Sequence, residues 1–200
     1  MFKLIFEKAR RFVESFLIFV FRRRDPLTGL PDRSALKNIH KKRFYKEEVS
    51  LIFLDLDNLK EINDCLGHQM GDIYLKEFAD LLKREVRNRD FALRWGGDEF
   101  VVCLFNAGKN EAKSFLERIK MKTDCLDVTR REDYLRLKEE SESRRLCCPD
   151  ELKKVAASGG ISEIKDDVFK AISVADIRMY EDKNQNKKLI YWNRKKLKNR

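Results

Sequence analysis

The sequence predicts an α/β (α+β) domain in which helices pack on a central sheet, and three observations carry that prediction. Val49–Leu54 is a continuous apolar, β-branched run, the pattern of a buried strand. Helical periodicity alternates with such runs; the clearest case is Ile73–Val86, through Ile73, Leu75, Phe78, Ala79, Leu82 and Val86. Phe91–Trp95 and Phe100–Phe105 flank Gly96-Gly97, whose lack of side chains permits the positive φ of a tight hairpin. Strands alternating with helices, plus one hairpin, build a layered sheet. A chain of 200 residues fits one such domain with an appendage.

The elements follow in order. Residues 2–21 place Phe2, Ile5, Ala9, Phe12, Phe16 and Phe19 at helical spacing, interrupted by charges, so residues 1–24 are read as an amphipathic amino-terminal helix. Its longest apolar run, Phe16–Phe21, falls far short of the ~20 residues that span a bilayer. Two readings stand: pairing with a second copy in a homodimer, which is favoured, or membrane-surface contact with Arg22-Arg23-Arg24 on lipid headgroups. Asp25–Pro31 breaks this helix and opens the main domain, 25–192. A helix is expected over Ser34–Phe44, then the strand Val49–Leu54, a helix over Leu59–Leu66 and a loop at Gly67–Gly71. The Ile73–Val86 helix, the hairpin and a helix over Ala112–Met121 come next. Thr123–Asp150 is almost wholly polar and reads as a charged insertion, 123–150, standing off the core. A strand over Val155–Ile161 with a Ser-Gly-Gly kink, a helix over Val168–Lys183, a last strand at Leu189–Trp192 and a basic tail, 193–200, complete the chain.

A formal net charge of +10 points to an anionic partner. No aromatic-basic recognition pattern accompanies it, so nucleic acid is not the expected partner. The five cysteines form no CxxC pair and read as reduced thiols of a cytoplasmic protein, and two histidines make a zinc site improbable.

The candidate site grows from the hairpin. Asp98 and Glu99 follow the two glycines directly, and carboxylates at a turn can hold Mg²⁺, which in turn holds phosphates. Gly96 and Gly97 leave the backbone open to a bulky ligand. Asp55, at the end of a buried strand, emerges at the sheet's edge and is the second candidate ligand. Asp57 shares its parity and can also cap the following helix. Lys60, Asn63 and Asp64 lie on one helical face. Asn63 offers donor and acceptor, Asp72 acceptors only, a pair that matches a guanine edge better than an adenine one. Lys60 supplies charge for a phosphate.

Taken together, these residues resemble the GGDEF-domain diguanylate cyclase family. Asp25–Arg33 is similar to the family's DxLTGLxNR entry motif, and Asp55–Asp72 to DxDxFKxxNDxxGHxxGD with Leu59 in place of phenylalanine. Gly96–Phe100 is the name-giving motif intact, and Ala175-Asp176 with Tyr180 and Lys183 resembles the closing helix. The likeness covers Asp25 to Trp192, apart from the insertion. It implies a mostly antiparallel five-stranded sheet of the nucleotidyl cyclase and polymerase-palm kind. It also implies condensation of two GTP into cyclic di-GMP and two pyrophosphates by a homodimer. By resemblance Asp55, the Leu56 carbonyl, Asp98 and Glu99 hold Mg²⁺ (or Mn²⁺), and Asp98 deprotonates the attacking 3′-hydroxyl. Asn63 and Asp72 read guanine with His68 close by, and Lys60, Lys183 and Lys187 meet phosphates; at position 187 the family prefers arginine. Arg87 and Asp90 match the family's RxxD motif for product inhibition. The alternative reading is a catalytically silent GGDEF module that acts as a receptor for GTP or cyclic di-GMP.

Overall fold

In the computed structural model of the chain, which describes residues 23–39, 47–126, 128, 132–143 and 155–198, the central element is strand β1 (Val49–Asp57), buried along its whole length. Leu51 and Phe53 enter one apolar cluster, and Ile52, Leu54 and Leu56 enter another on the opposite face. A strand covered on both faces has no solvated side, which is why the sequence shows no polar alternation there.

Strand β1 lies between β3 (Glu99–Phe105) and β4 (Ala156–Glu163), with β2 (Phe91–Arg94) outside β3, giving the order β2-β3-β1-β4. Every neighbouring pair is antiparallel. Helices α1 (Ser34–Ile39) and α6 (Val168–Lys198) cover one face. The other face carries α2 (Leu59–Leu66), α3 (His68–Glu85), α4 (Lys109–Asp124) and α5 (Glu132–Ser143). Phe78 of α3 packs edge-on against Phe100 of β3 at 5.0 Å between ring centroids, tying that helix layer to the hairpin.

Five expectations change. The sheet has four strands among the described residues, because Leu189–Trp192 continues α6 instead of forming a fifth. No glycine or proline interrupts 168–198, so nothing stops the helix. The supposed loop Gly67–Gly71 is a single-residue break at Gly67 (φ +88°), and α3 begins at His68. The insertion does not stand off the core. Helix α5 packs on α2 and α3, and Val128 and Leu137 are buried among their side chains. The Ser158-Gly159-Gly160 run continues through β4. Its glycines serve close approach rather than a kink: a Cβ on Gly160 would lie 2.0 Å from the Ala175 carbonyl oxygen of α6. Finally, Asp57 ends β1 and the helix cap falls to Asn58 (φ 65°), without a side-chain capping bond. Residues 1–22, the end of the expected Ser34–Phe44 helix beyond Ile39, and Cys147-Cys148 lie outside the described residues.

Candidate active site

The site lies where β1 ends beside the β2–β3 turn. Antiparallel register sets Asp55 opposite Glu99 on one side and Ser158 on the other. The Leu56 N–H donates to the Asp98 carbonyl at 3.1 Å, which draws the turn against the strand. Thus Asp55, Leu56, Asp98 and Glu99, separated by more than forty residues in the chain, meet at one edge.

The turn is closed by the Glu99 carbonyl, which accepts from Trp95 N–H at 2.8 Å and Gly96 N–H at 3.4 Å. Neither Gly96 nor Gly97 takes the positive φ expected of the hairpin; the glycines that do are Gly29 and Gly67. Room explains them instead. A Cβ on Gly96 would come within 2.9 Å of Glu99 Oε2, and Gly97 faces open space. Arg94 braces the same turn from behind. Its Nε donates to the Gly97 carbonyl at 3.1 Å, its Nη2 to the same oxygen at 2.6 Å, and its Nη1 to both carboxylate oxygens of Asp25 at 3.0 and 3.1 Å. Asp25 also accepts from the backbone and hydroxyl of Thr28, so the entry motif is a small knot clamped to the glycine turn. These bonds and the Arg94 charge hold the Asp25 carboxyl below its ordinary value, outweighing burial, which pulls the other way.

Crowding of acids sets the electrostatics. Burial lifts the Asp55 carboxyl to about 6, with the charges of Asp98 and Asp57 adding to the shift and Lys183 opposing it. Burial also raises Glu99, helped by Asp98, Asp55 and Asp176. Lys183 of α6 is hydrogen-bonded to Asp55 Oδ1 and lies 3.7 Å from Asp57 Oδ1. Burial alone would lower its ammonium, yet the Asp55 bond and the surrounding carboxylates raise it. Asp57 in turn accepts from the Ser158 hydroxyl at 2.6 Å, and that hydroxyl accepts from Asn186 Nδ2 at 3.2 Å. Oxygen-only donors carrying excess negative charge fit a hard divalent cation. Among the described residues, however, no group of three such side chains is already gathered as a cage; the ammonium of Lys183 sits there.

A second cluster forms between α2 and α3. Asn63 Oδ1 is buried without a hydrogen-bond partner among the described residues, an arrangement that awaits a donor. A Cβ on Gly71 would lie 1.9 Å from that oxygen, so glycine there is required by the asparagine. Asp72, half-buried, follows on α3, while Lys60 and His68 stand exposed at the helix starts. The Lys187 side chain lies outside the described residues.

Arg87 and Asp90 fall on the α3–β2 connection and line a small cavity with Glu85, Glu111, Phe115 and Arg118. Asp90 Oδ1 accepts from the Phe105 N–H at 2.9 Å, and Arg118 Nε donates to Glu85 at 2.9 Å. Sequence reasoning quoted Asp176 in the closing helix and Ser158 in the Ser-Gly-Gly run without giving either a place at the site, and it missed Asn186 and the Asp25–Arg94 contact. Asp25 opens the entry motif and Arg94 lies in the strand before the glycine turn, yet nothing in their spacing of 69 residues announces contact.

The fold and site define a class: a carboxylate cluster at a glycine turn of a wholly antiparallel sheet with helices on both faces, and comparison with known proteins narrows it. The sequence profile described as "Diguanylate cyclase, GGDEF domain" matches residues 22–140. Diguanylate cyclase DgcS of Shewanella oneidensis is 49% identical over 85 residues, covering 40% of this chain and 29% of that protein. Probable diguanylate cyclase DgcJ of Escherichia coli K12 is 32% identical over 170 residues, covering 82% of this chain and 29% of that protein. The chain therefore spans under a third of the length of these relatives. The solved coiled coil and GGDEF domain of DgcB from Caulobacter crescentus, in complex with c-di-GMP, superposes with a TM-score of 0.66 over 92% of this chain and 91% of that one, a likeness of fold at 22% identity. This chain belongs to the GGDEF domain family.

Proposed function

We propose that the chain is a diguanylate cyclase, joining two GTP molecules into cyclic di-GMP with release of two pyrophosphates. The observation that carries this reading is the convergence of Asp55, Asp98 and Glu99 at an open glycine turn; the buried Asn63 oxygen between α2 and α3, which lacks a donor, supports it.

Asn63 and Asp72 accept from guanine N–H groups, and Gly96-Gly97 let the nucleotide approach the backbone. Lys60, Lys183 and Lys187 neutralise the polyphosphate. Asp55, the Leu56 carbonyl, Asp98 and Glu99 would hold Mg²⁺ or Mn²⁺. When bound, such an ion supplies charge neutralisation at the reacting phosphate and acidifies the attacking hydroxyl. Asp98 takes the 3′-hydroxyl proton as the oxygen attacks the α-phosphorus in line, and pyrophosphate leaves opposite. Alignment supplies much of the rate enhancement, since the protein contributes little covalent chemistry. One domain holds one GTP, so two domains face each other in a homodimer. Arg87 and Asp90 take the product as a brake. We read the reaction as cytoplasmic because GTP is found there, with membrane-surface contact through residues 1–24 as the further reading.

Purified protein incubated with GTP and Mg²⁺ is expected to yield cyclic di-GMP by mass, and Asp98→Ala to abolish it. Tight nucleotide binding without turnover in the unaltered protein would reverse this reading in favour of a receptor.

A further inference from the structure

Lys183 stands where its expected role and its observed contact collide. It belongs with the phosphates, yet its ammonium is bound to Asp55 and lies 3.7 Å from Asp57. Both carboxylates are nearly buried, at 7% and 6% exposure, so water does little to screen them. The position is held from both sides. Asp57 is fixed by Ser158, and Ser158 by Asn186, one turn beyond Lys183 on the same helix. Asp182, the preceding residue, pairs with Lys120 at 2.6 Å and accepts from the Gly159 N–H at 2.9 Å. The α6 backbone is therefore anchored on β4, and Lys183 can change partner only by rotating its flexible side chain.

We propose that Lys183 couples metal binding to nucleotide binding: in the nucleotide-free protein it occupies the carboxylates as a resident cation, and a triphosphate draws it away. This rests on the reading above that Asp55 holds the metal. A divalent ion approaching the nucleotide-free site meets an ammonium already neutralising Asp55 and must displace it, with the acids nearest to receive it, Asp57 and Asp98, belonging to the same site. A polyphosphate provides a partner outside it. Its oxygens accept Lys183, the two aspartates regain their full charge, and the metal enters. Linkage makes the effect reciprocal, so bound metal also frees Lys183 for phosphate.

The test measures two affinities with opposite expected signs. Mn²⁺ binding to nucleotide-free protein is followed by electron paramagnetic resonance at pH 8, and metal-free binding of a fluorescent GTP analogue is followed by anisotropy. Lys183→Met and Lys183→Gln should bind Mn²⁺ on the order of tenfold more tightly than the unaltered protein, and the analogue more weakly. Lys183→Arg, which keeps the charge, should retain weak Mn²⁺ binding. A merely structural role would weaken both ligands together and overturn the proposal. Equal Mn²⁺ affinity in all variants, with binding still lost in Asp55→Asn, would overturn the coupling and leave the metal assignment standing. Mn²⁺ binding indifferent to Asp55→Asn would overturn both.

Discussion

Asp55 ionises under opposing influences, and the net result can be read in pH. Its carboxyl rises from 3.8 to about 6, chiefly because burial disfavours the charge, with Asp98 and Asp57 adding repulsion and Lys183 subtracting from it. The folded protein thus takes up a proton on this group between roughly pH 4 and 6, where the unfolded chain does not. The stability contributed by protonated Asp55 is present below the unfolded value and is lost as pH rises toward 6. Cation binding has the opposite slope, because a metal needs the ionised form. Mn²⁺ affinity is expected to level off above about pH 7 and to fall by about tenfold per unit well below 6. Titration by electron paramagnetic resonance checks this, and an affinity unchanged down to pH 5 would place Asp55 at an ordinary value. That Asp55 was legible in the sequence has a simple cause: few alternatives explain an acid that ends a buried apolar strand. Asp57 was not, because capping the next helix explained it equally well until Asn58 took the cap.

Between elements, the contact that shapes the site is α6 on β4. Gly160 permits it, since a Cβ would lie 2.0 Å from the Ala175 oxygen and 2.4 Å from the Met179 nitrogen, both backbone atoms. A Cβ on Gly159 would meet Leu116 Cδ1 at 2.4 Å, the far end of a side chain that can rotate. Gly160→Ala is therefore expected to destabilise by ~1–3 kcal/mol, lowering Tm by roughly 2–12 °C, and Gly159→Ala by clearly less. Calorimetry of the two variants measures the difference, and equal losses would remove the backbone-contact explanation. Because Lys183 rides on α6, Gly160→Ala should also reduce activity below the melting range. Sequence spacing located both glycines but could not say what approached them, so a kink seemed the natural use. The same limit explains α6 itself. A short apolar run such as Leu189–Trp192 has no period that separates strand from helix, and the absence of a breaker after Lys183 decides for helix. For α5, the charge of the segment concealed Val128 and Leu137, which are enough to dock it on α2 and α3.

For the whole molecule, the proposed cyclase reaction depends on how often two half-sites meet. The carboxylate edge, the buried Asn63 oxygen and the Lys183 ammonium all belong to one chain, and on the proposed reading they serve one nucleotide. The proposed product contains two guanines, so the proposed reaction needs a second copy turned to face the first. If association is weak, the rate per chain falls in proportion to concentration on dilution, and the total rate falls with its square. The net charge of +10 makes two copies repel, so the dilution effect should ease as salt is added within the range that leaves GTP binding intact. Segment 2–21, whose apolar residues recur at helical spacing in the sequence, is proposed to offset this repulsion by pairing, which would raise the effective concentration of one domain near the other. Removing residues 2–21 is expected to lower the rate per chain at least ~10-fold in dilute solution and to have little effect at concentrations that restore the dimer. Turnover measured across a dilution series, with sedimentation on the same samples, tests this. An unchanged dilution curve, with vesicle binding lost on truncation, would assign the segment to a membrane surface and leave dimerisation to the domain itself.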